Sequence, residues 1–173
     1  MKKLALAACL AALLFAAQGV SGQALSGRRA PGFSLPDSAF AQHDLYDYRG
    51  RWLLLVFVKT DSANSRALSQ LLESKKAQWG AKAAVLSVAV TPPDNQATIA
   101  KYAADTRITT PLVFDQGQAA ASYFKATPTR PNITMPHLFA ISPQGMIVRD
   151  WTELQVGLKT LGAELDALIA AGK

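Results

Sequence analysis

The apolar run Trp52-Leu53-Leu54-Leu55-Val56-Phe57-Val58 is followed directly by Lys59-Thr60-Asp61-Ser62-Ala63-Asn64-Ser65-Arg66. Seven consecutive apolar residues predict a strand that is buried on both faces of a sheet. From Ala63 to Trp79 the apolar side chains recur at helical spacing, and Ser62 or Asn64 is available to cap the first turn. The sequence therefore predicts a central strand that turns at once into a long helix.

The rest of the chain extends this unit with alternating strands and helices. Residues 29–37 mix proline, small and apolar residues, which favours an extended segment at a sheet edge. Apolar runs and helical patterns then alternate after the first helix. They predict a strand at 83–90, a helix at 96–104, a short strand at 111–114, a short helix at 119–124, a hairpin with strands at 136–141 and 146–151, and a closing helix at 152–171.

This order of elements predicts an α/β domain with a mixed central sheet, flanked by helices and closed by a C-terminal helix. The chain has 173 residues, of which 50% are hydrophobic and 17% charged, so it fits one folded domain and not a disordered protein. We expect a signal peptide at 1–22, a short leader at 23–28 and a single domain at 29–173.

The N-terminus has the pattern of a secretory signal peptide. Lys2 and Lys3 precede an apolar run over 4–17, and the small residues at 20–22 fit a cleavage site. The run is too short for a membrane span, so we expect a secreted or periplasmic protein whose mature form is not transmembrane. Residues 6–9 also spell a lipoprotein box, but too few apolar residues precede it to favour anchoring at Cys9.

The only cysteine is Cys9, inside this apolar run. The mature domain therefore has no thiol, no disulfide and no thiolate-bound metal, and we expect neither a metal nor a cofactor. Removal of Lys2 and Lys3 lowers the formal net charge from +6 to +4. The remaining basic residues form no stripe interleaved with aromatic residues, which argues against a nucleic-acid partner.

Several short motifs occur in an order that is similar to a known family. They are Ala30-Pro31-Gly32-Phe33-Ser34-Leu35, Tyr48-Arg49-Gly50 before the central strand, Leu112-Val113-Phe114-Asp115, and the segment from Met135-Pro136-His137 to Met146-Ile147. Together they resemble the redoxins, the alkyl hydroperoxide reductase and thiol-specific antioxidant (AhpC/TSA) group of the thioredoxin-like superfamily. The resemblance covers roughly Arg29 to Trp151 and implies a thioredoxin-like fold with a cis peptide bond before Pro136.

The resemblance also implies a Thr-x-Cys-x-x-Cys turn at the start of the first long helix. Here serine stands at both cysteine positions, Ser62 and Ser65. A serine hydroxyl stays protonated near neutral pH and cannot form a disulfide, and peroxide reduction in this family also begins with a thiolate. We therefore predict a redox-inactive binding or scaffolding protein. The alternative is a thiol-disulfide oxidoreductase or a peroxiredoxin-type antioxidant, as in the family.

The candidate binding surface combines the turn with the segment around the proline. Its residues are Thr60, Asp61, Ser62, Asn64, Ser65, Arg66, Met135, Pro136 and His137. In relatives the backbone before the cis-proline, here Met135, pairs with extended substrates, which implies an extended peptide or protein partner. The simpler interpretation is that the two serines only cap the helix and that the charged side chains are only solvated.

A serine-based hydrolase is a further alternative, with His137 as the base for Ser62. Such a pair also needs an orienting acid, and alternation along the strand can point His137 away from the turn. A packed or exposed histidine is the simpler interpretation. Metal binding through His43 and His137 is equally weakly supported, because His43 belongs to a different loop.

Overall fold

A computed structural model describes residues 26–91, 94–124, 134–152 and 156–172. The predicted signal peptide and Cys9 lie outside these residues. No helix within the described ranges is long and apolar enough to cross a bilayer.

The described chain folds into seven strands and four α-helices, with two short 3₁₀ helices at Leu45–Tyr48 and Gly80–Lys82. The elements are β1 (Ser34–Pro36), β2 (Gln42–Asp44), β3 (Trp52–Val58), α1 (Ala63–Trp79), β4 (Ala83–Ala89), α2 (Gln96–Thr106), β5 (Leu112–Phe114), α3 (Gln118–Phe124), β6 (His137–Ile141), β7 (Ile147–Thr152) and α4 (Leu158–Ala171).

The main sheet has five strands in the order β5-β4-β3-β6-β7. Strands β3, β4 and β5 are parallel, whereas β6 and β7 run antiparallel to their neighbours. This confirms the predicted mixed sheet with flanking helices and a C-terminal helix. Strands β1 and β2 form a separate antiparallel pair, and Asp37 bridges from it to Val113 on the outer side of β5.

Two of the boundaries that differ from the sequence prediction are explained by strand pairing. The closing helix begins at Leu158 instead of residue 152, because Thr152 is still part of β7 and pairs with His137. At the other end of the chain, Gly27 and Arg28, which the sequence assigns to a leader, exchange backbone hydrogen bonds with Ile147 at 2.7 and 2.9 Å. The first difference comes from pairing of β7 with β6, and the second from pairing of the N-terminal segment with β7.

Strand β3 explains why the run at 52–58 is apolar throughout. All seven of its residues are buried. Trp52, Leu54, Val56 and Val58 face a core shared with α1, α2 and α4. The alternate side chains face a second core, built from α3 and the N-terminal segment. Because side chains alternate along a strand, both faces must be apolar when both are covered.

Glu73, on α1, ties that helix to the loop that leads into β5. One carboxylate oxygen accepts the N–H groups of Thr109 and Thr110 at 3.0 and 3.1 Å, and the other accepts the Thr109 hydroxyl at 2.9 Å and pairs with Lys76. Burial alone raises the pKa of the Glu73 carboxyl, but these donors outweigh it and lower the pKa to about 2.

We predict that Glu73→Gln lowers the free energy of unfolding by about 2 kcal/mol at pH 7, because a pKa held below its unfolded value stabilises the fold once the group is ionised. The stabilisation is complete above the unfolded pKa near 4.5 and is lost as the pH falls toward 2. Urea titrations at several pH values measure this. The matched control Asp105→Asn, which breaks an exposed pair with Lys101, should cost less than about 0.5 kcal/mol. A Glu73→Gln difference that does not change between pH 7 and pH 3 would contradict the prediction.

Candidate functional site

Ser62 caps α1, as one of the two sequence interpretations predicts. Its backbone is extended (φ −92°, ψ 129°), and its Oγ accepts the N–H of Ser65 at 3.3 Å. This bond satisfies one of the amides that have no partner within the first helical turn. Ser62 therefore holds the start of the helix with its hydroxyl.

Ser65 has a different task, and the prediction that it also caps the helix is wrong. Its side chain is completely buried, and its Oγ accepts the N–H of Lys59 at 3.1 Å. Lys59 is the first residue after β3, so this bond joins the exit of the strand to the first turn of α1. The hydroxyl is used to close the turn because the helix brings Ser65 back over the end of the strand.

Thr60 fixes the other side of the turn. Its hydroxyl donates to Oδ1 of Asp94 at 2.9 Å, and the Asp94 carboxylate also accepts the N–H of Thr91 at 2.7 Å and the hydroxyl of Thr98 at 3.2 Å. Asp94 lies just before α2. The turn is thus anchored to two helices.

The remaining side chains of the turn point to solvent. Lys59, Asp61, Asn64 and Arg66 are exposed. In the part of the chain that the structure describes, none of the four makes a side-chain hydrogen bond or an ion pair. The turn therefore has a fixed backbone and a charged, solvent-exposed outer surface.

The proline segment lies beside this turn. His137 pairs with Phe57 in the antiparallel ladder, and continuing that register places Pro136 opposite Val58 and Met135 opposite Lys59. The Met135–Pro136 peptide bond is cis, and both side chains are buried. The fold thus brings together the two sets of residues that the sequence assigns to one surface.

His137 is held by an acid that the sequence analysis missed. Its Nε2 lies 2.9 Å from Oδ2 of Asp150, and its ring stacks on Phe139 with the centroids 4.3 Å apart. Asp150 could have been found by aligning the hairpin, because β7 passes beside His137. No hydrogen bond joins His137 to Ser62 or Ser65 within the described residues, so the serine-hydrolase arrangement is not formed there.

His43 lies away from this site. Its Nε2 is 3.1 Å from Oδ2 of Asp37, and its Nδ1 is 3.0 Å from the Tyr48 hydroxyl. The two histidines thus have separate carboxylate partners. Among the described residues there is no cluster of three or more metal-binding side chains.

A family model described as the AhpC/TSA family matches residues 26–150.

The chain belongs to the AhpC/TSA family.

No curated protein sequence matches this AhpC/TSA chain. Solved structures do match it. The peroxidoxin BcpB from Mycobacterium tuberculosis has a TM-score of 0.70 at 17% identity, covering 86% of this chain and 97% of that chain. A thiol:disulfide interchange protein from Bacteroides sp. has a TM-score of 0.68 at 16% identity, covering 84% and 90%.

A third similar structure is the thioredoxin domain of a thiol-disulfide oxidoreductase from Bacteroides vulgatus. Its TM-score is 0.67 at 18% identity, covering 83% of this chain and 97% of that chain. At these identities the likeness concerns the fold alone. It confirms the predicted thioredoxin-like architecture.

We predict that Ser65→Ala destabilises the domain by about 1–2 kcal/mol, because the Lys59 N–H loses its acceptor at the end of the strand. Ser62→Ala should cost about 1 kcal/mol through loss of the helix cap. Thermal and urea unfolding measure both variants. Ser38→Ala, at an exposed position in the β1–β2 turn, serves as the control and should change stability by less than about 0.5 kcal/mol. Equal effects for all three would contradict these roles.

Proposed function

We propose that this AhpC/TSA domain is a redox-inactive binding protein that holds an extended peptide or protein segment. The single observation that carries the proposal is that Ser62 and Ser65 stand where the family resemblance places the two cysteines, and both hydroxyls accept backbone amides of the turn. We further propose that the chain is exported to the periplasm by its N-terminal signal peptide and acts there without a cofactor.

The chemistry of the turn supports the absence of redox activity. A thiolate at a helix start is stabilised by the free amides and the helix dipole, whereas a hydroxyl remains protonated and cannot accept electrons by forming a disulfide. No side-chain base contacts Ser62 or Ser65 among the described residues. The same scaffold that serves thiol chemistry in relatives therefore serves structure at these two positions.

The outer surface of the turn supports binding. Asp61, Asn64 and Arg66 offer one anionic, one amide and one cationic group, all exposed and without a side-chain partner in the described chain. The turn that carries them follows Lys59, which the register of β3 and β6 places opposite Met135. An extended segment placed there meets backbone groups on one side and polar side chains on the other.

The alternative is an oxidoreductase that borrows a thiol from a partner. This alternative is supported by the similar structures, which include a thiol:disulfide interchange protein and a peroxidoxin. Such an enzyme needs a thiolate at the turn for each catalytic cycle. Assays of the purified protein therefore separate the two functions.

We predict that the purified protein catalyses neither insulin reduction by dithiothreitol nor consumption of hydrogen peroxide. The double variant Ser62→Cys/Ser65→Cys should form a reversible disulfide, because the two positions are the cap and the third residue of α1. A Ser38→Cys/Ser74→Cys variant is the matched control, with two thiols placed elsewhere, and should show no turnover above the uncatalysed rate. Sustained turnover by the wild-type protein would overturn the proposal.

We also predict that a photo-reactive benzoylphenylalanine at Asn64 forms a covalent adduct with a partner in periplasmic extract. The same group at Lys159, exposed on α4, is the control and should not form that adduct. Arg66→Glu in the Asn64 probe should reduce its yield several-fold, since it reverses a charge beside the probe. Identical adducts from both positions, or none from either, would argue against binding at the turn.

A further inference from the structure

Strand β4 has a neighbour along only part of its outer edge. Strand β5 pairs with Ser87–Ala89 and no earlier residue. The N–H of Val90 bonds to Val58 on β3 at 3.1 Å, whereas the N–H of Ser87 bonds to Pro111 on the β5 side at 3.0 Å. Since backbone groups alternate along a strand, Val85 also directs its N–H and C=O to the β5 side. No strand of the described chain pairs with it there.

Two features accompany the late start of β5, the bonds that Glu73 makes and the position of Pro111. In a continued parallel register, Thr110 would lie opposite Val85. The Glu73 carboxylate instead binds the amides of Thr109 and Thr110 and draws this segment toward α1. Pro111 has no N–H to offer the sheet. The chain thus joins the sheet only at Leu112.

The open edge forms the floor of a cleft of about 480 Å³. Its lining includes Tyr48, Arg51, Lys76 and Thr110 together with Ala83 to Val85. This volume lies in the range of binding sites for small ligands and short peptides. Ala83 and Ala84 carry small side chains, which lets an incoming backbone approach this edge closely.

One charged group of the cleft, Arg51, is placed to bind an acidic occupant. The Arg51 guanidinium lies over the Tyr48 ring, 5.5 Å from its centroid, and has no carboxylate within ion-pair distance in the described residues. Lys76 adds a second cation, although Glu73 neutralises it. Asp47 also lines the cleft, but it is exposed to solvent. Arg51 is therefore the cation of the cleft that has no ion-pair partner among the described residues.

We propose that this cleft binds a short extended peptide, which adds a strand beside Ala83–Val85 and places an acidic side chain against Arg51. The main-chain bonds to Val85 supply affinity, and the guanidinium supplies selectivity for the acidic residue. This second site is separate from the surface of the turn at Thr60–Arg66, because Arg51 lies before β3 and the turn lies after it. The strand between them spans roughly 20 Å.

The test uses the purified, ¹⁵N-labelled protein and the probe peptide acetyl-Thr-Val-Glu-Val-Thr-amide. Titration should shift the amide resonance of Val85 and slow its hydrogen exchange, while the resonance of Asn64 stays in place. Replacing the probe's glutamate by lysine should weaken binding at least tenfold. Two further analogues carry N-methyl groups, one on the odd-numbered and the other on the even-numbered residues of the probe. In an added strand only one of these sets of amides faces β4, so only one analogue should lose binding.

Variants of the protein test the same contacts. Arg51→Gln should weaken the acidic probe about tenfold and leave an analogue with glutamine in place of glutamate nearly unchanged. Lys159→Gln, which removes an exposed charge from α4, is the control and should change neither affinity.

Two results would overturn the proposal. One is an unmoved Val85 amide at millimolar probe. The other is equal binding by both N-methylated analogues or by inorganic phosphate, which would indicate a simple anion site without strand addition. Because the peptide analogues are tested on the wild-type protein, the result does not depend on how well the Arg51 variant folds.

Discussion

The structure depends on the complete burial of β3. A strand with apolar side chains on both faces must lie between two covered layers, and here those layers are α1, α2 and α4 on one side and α3 with the N-terminal segment on the other. Where such a strand ends, the first backbone N–H beyond it still needs a hydrogen-bond acceptor. Ser65 meets this need at Lys59, and the side chain that does so is itself fully buried. The geometry of the turn is therefore a consequence of the core.

The parts of the fold that local pattern determines were predictable. The run at 52–58 and the helical spacing from Ala63 to Trp79 match the observed β3 and α1, and the cap at Ser62 follows from its position. The start of α4 was not predictable in this way, because apolar residues continue through the region where pairing with β6 still holds Thr152 in a strand. Long-range partners were also missed. Each lies 13 to 36 residues in sequence from the residue that it binds: Asp94 binds Thr60, Asp150 binds His137, and Glu73 binds Thr109.

The proposed function separates the scaffold of the family from its thiol chemistry. In the AhpC/TSA family the resemblance places sulfur at the two positions that Ser62 and Ser65 occupy here. Both serines make bonds that hold the strand exit and the helix start together, so the turn keeps its shape. Rigid backbone beside exposed polar side chains is suited to recognition, since little conformational entropy is lost when a partner binds. The proposed function thus uses the rigidity of the turn and not its reactivity.

The gap beside β4 has a consequence for how this sheet behaves toward other chains. The open edge is three residues long. It is too short to pair with the sheet of another molecule and start aggregation. The gap is also narrow enough that the chain's own Thr109 and Thr110 could fill it if the α1 carboxylate released them. A change at Glu73 would thus reshape the groove without altering the topology of the domain, whereas Pro111, which has no N–H, would still interrupt the pairing of β4 with β5.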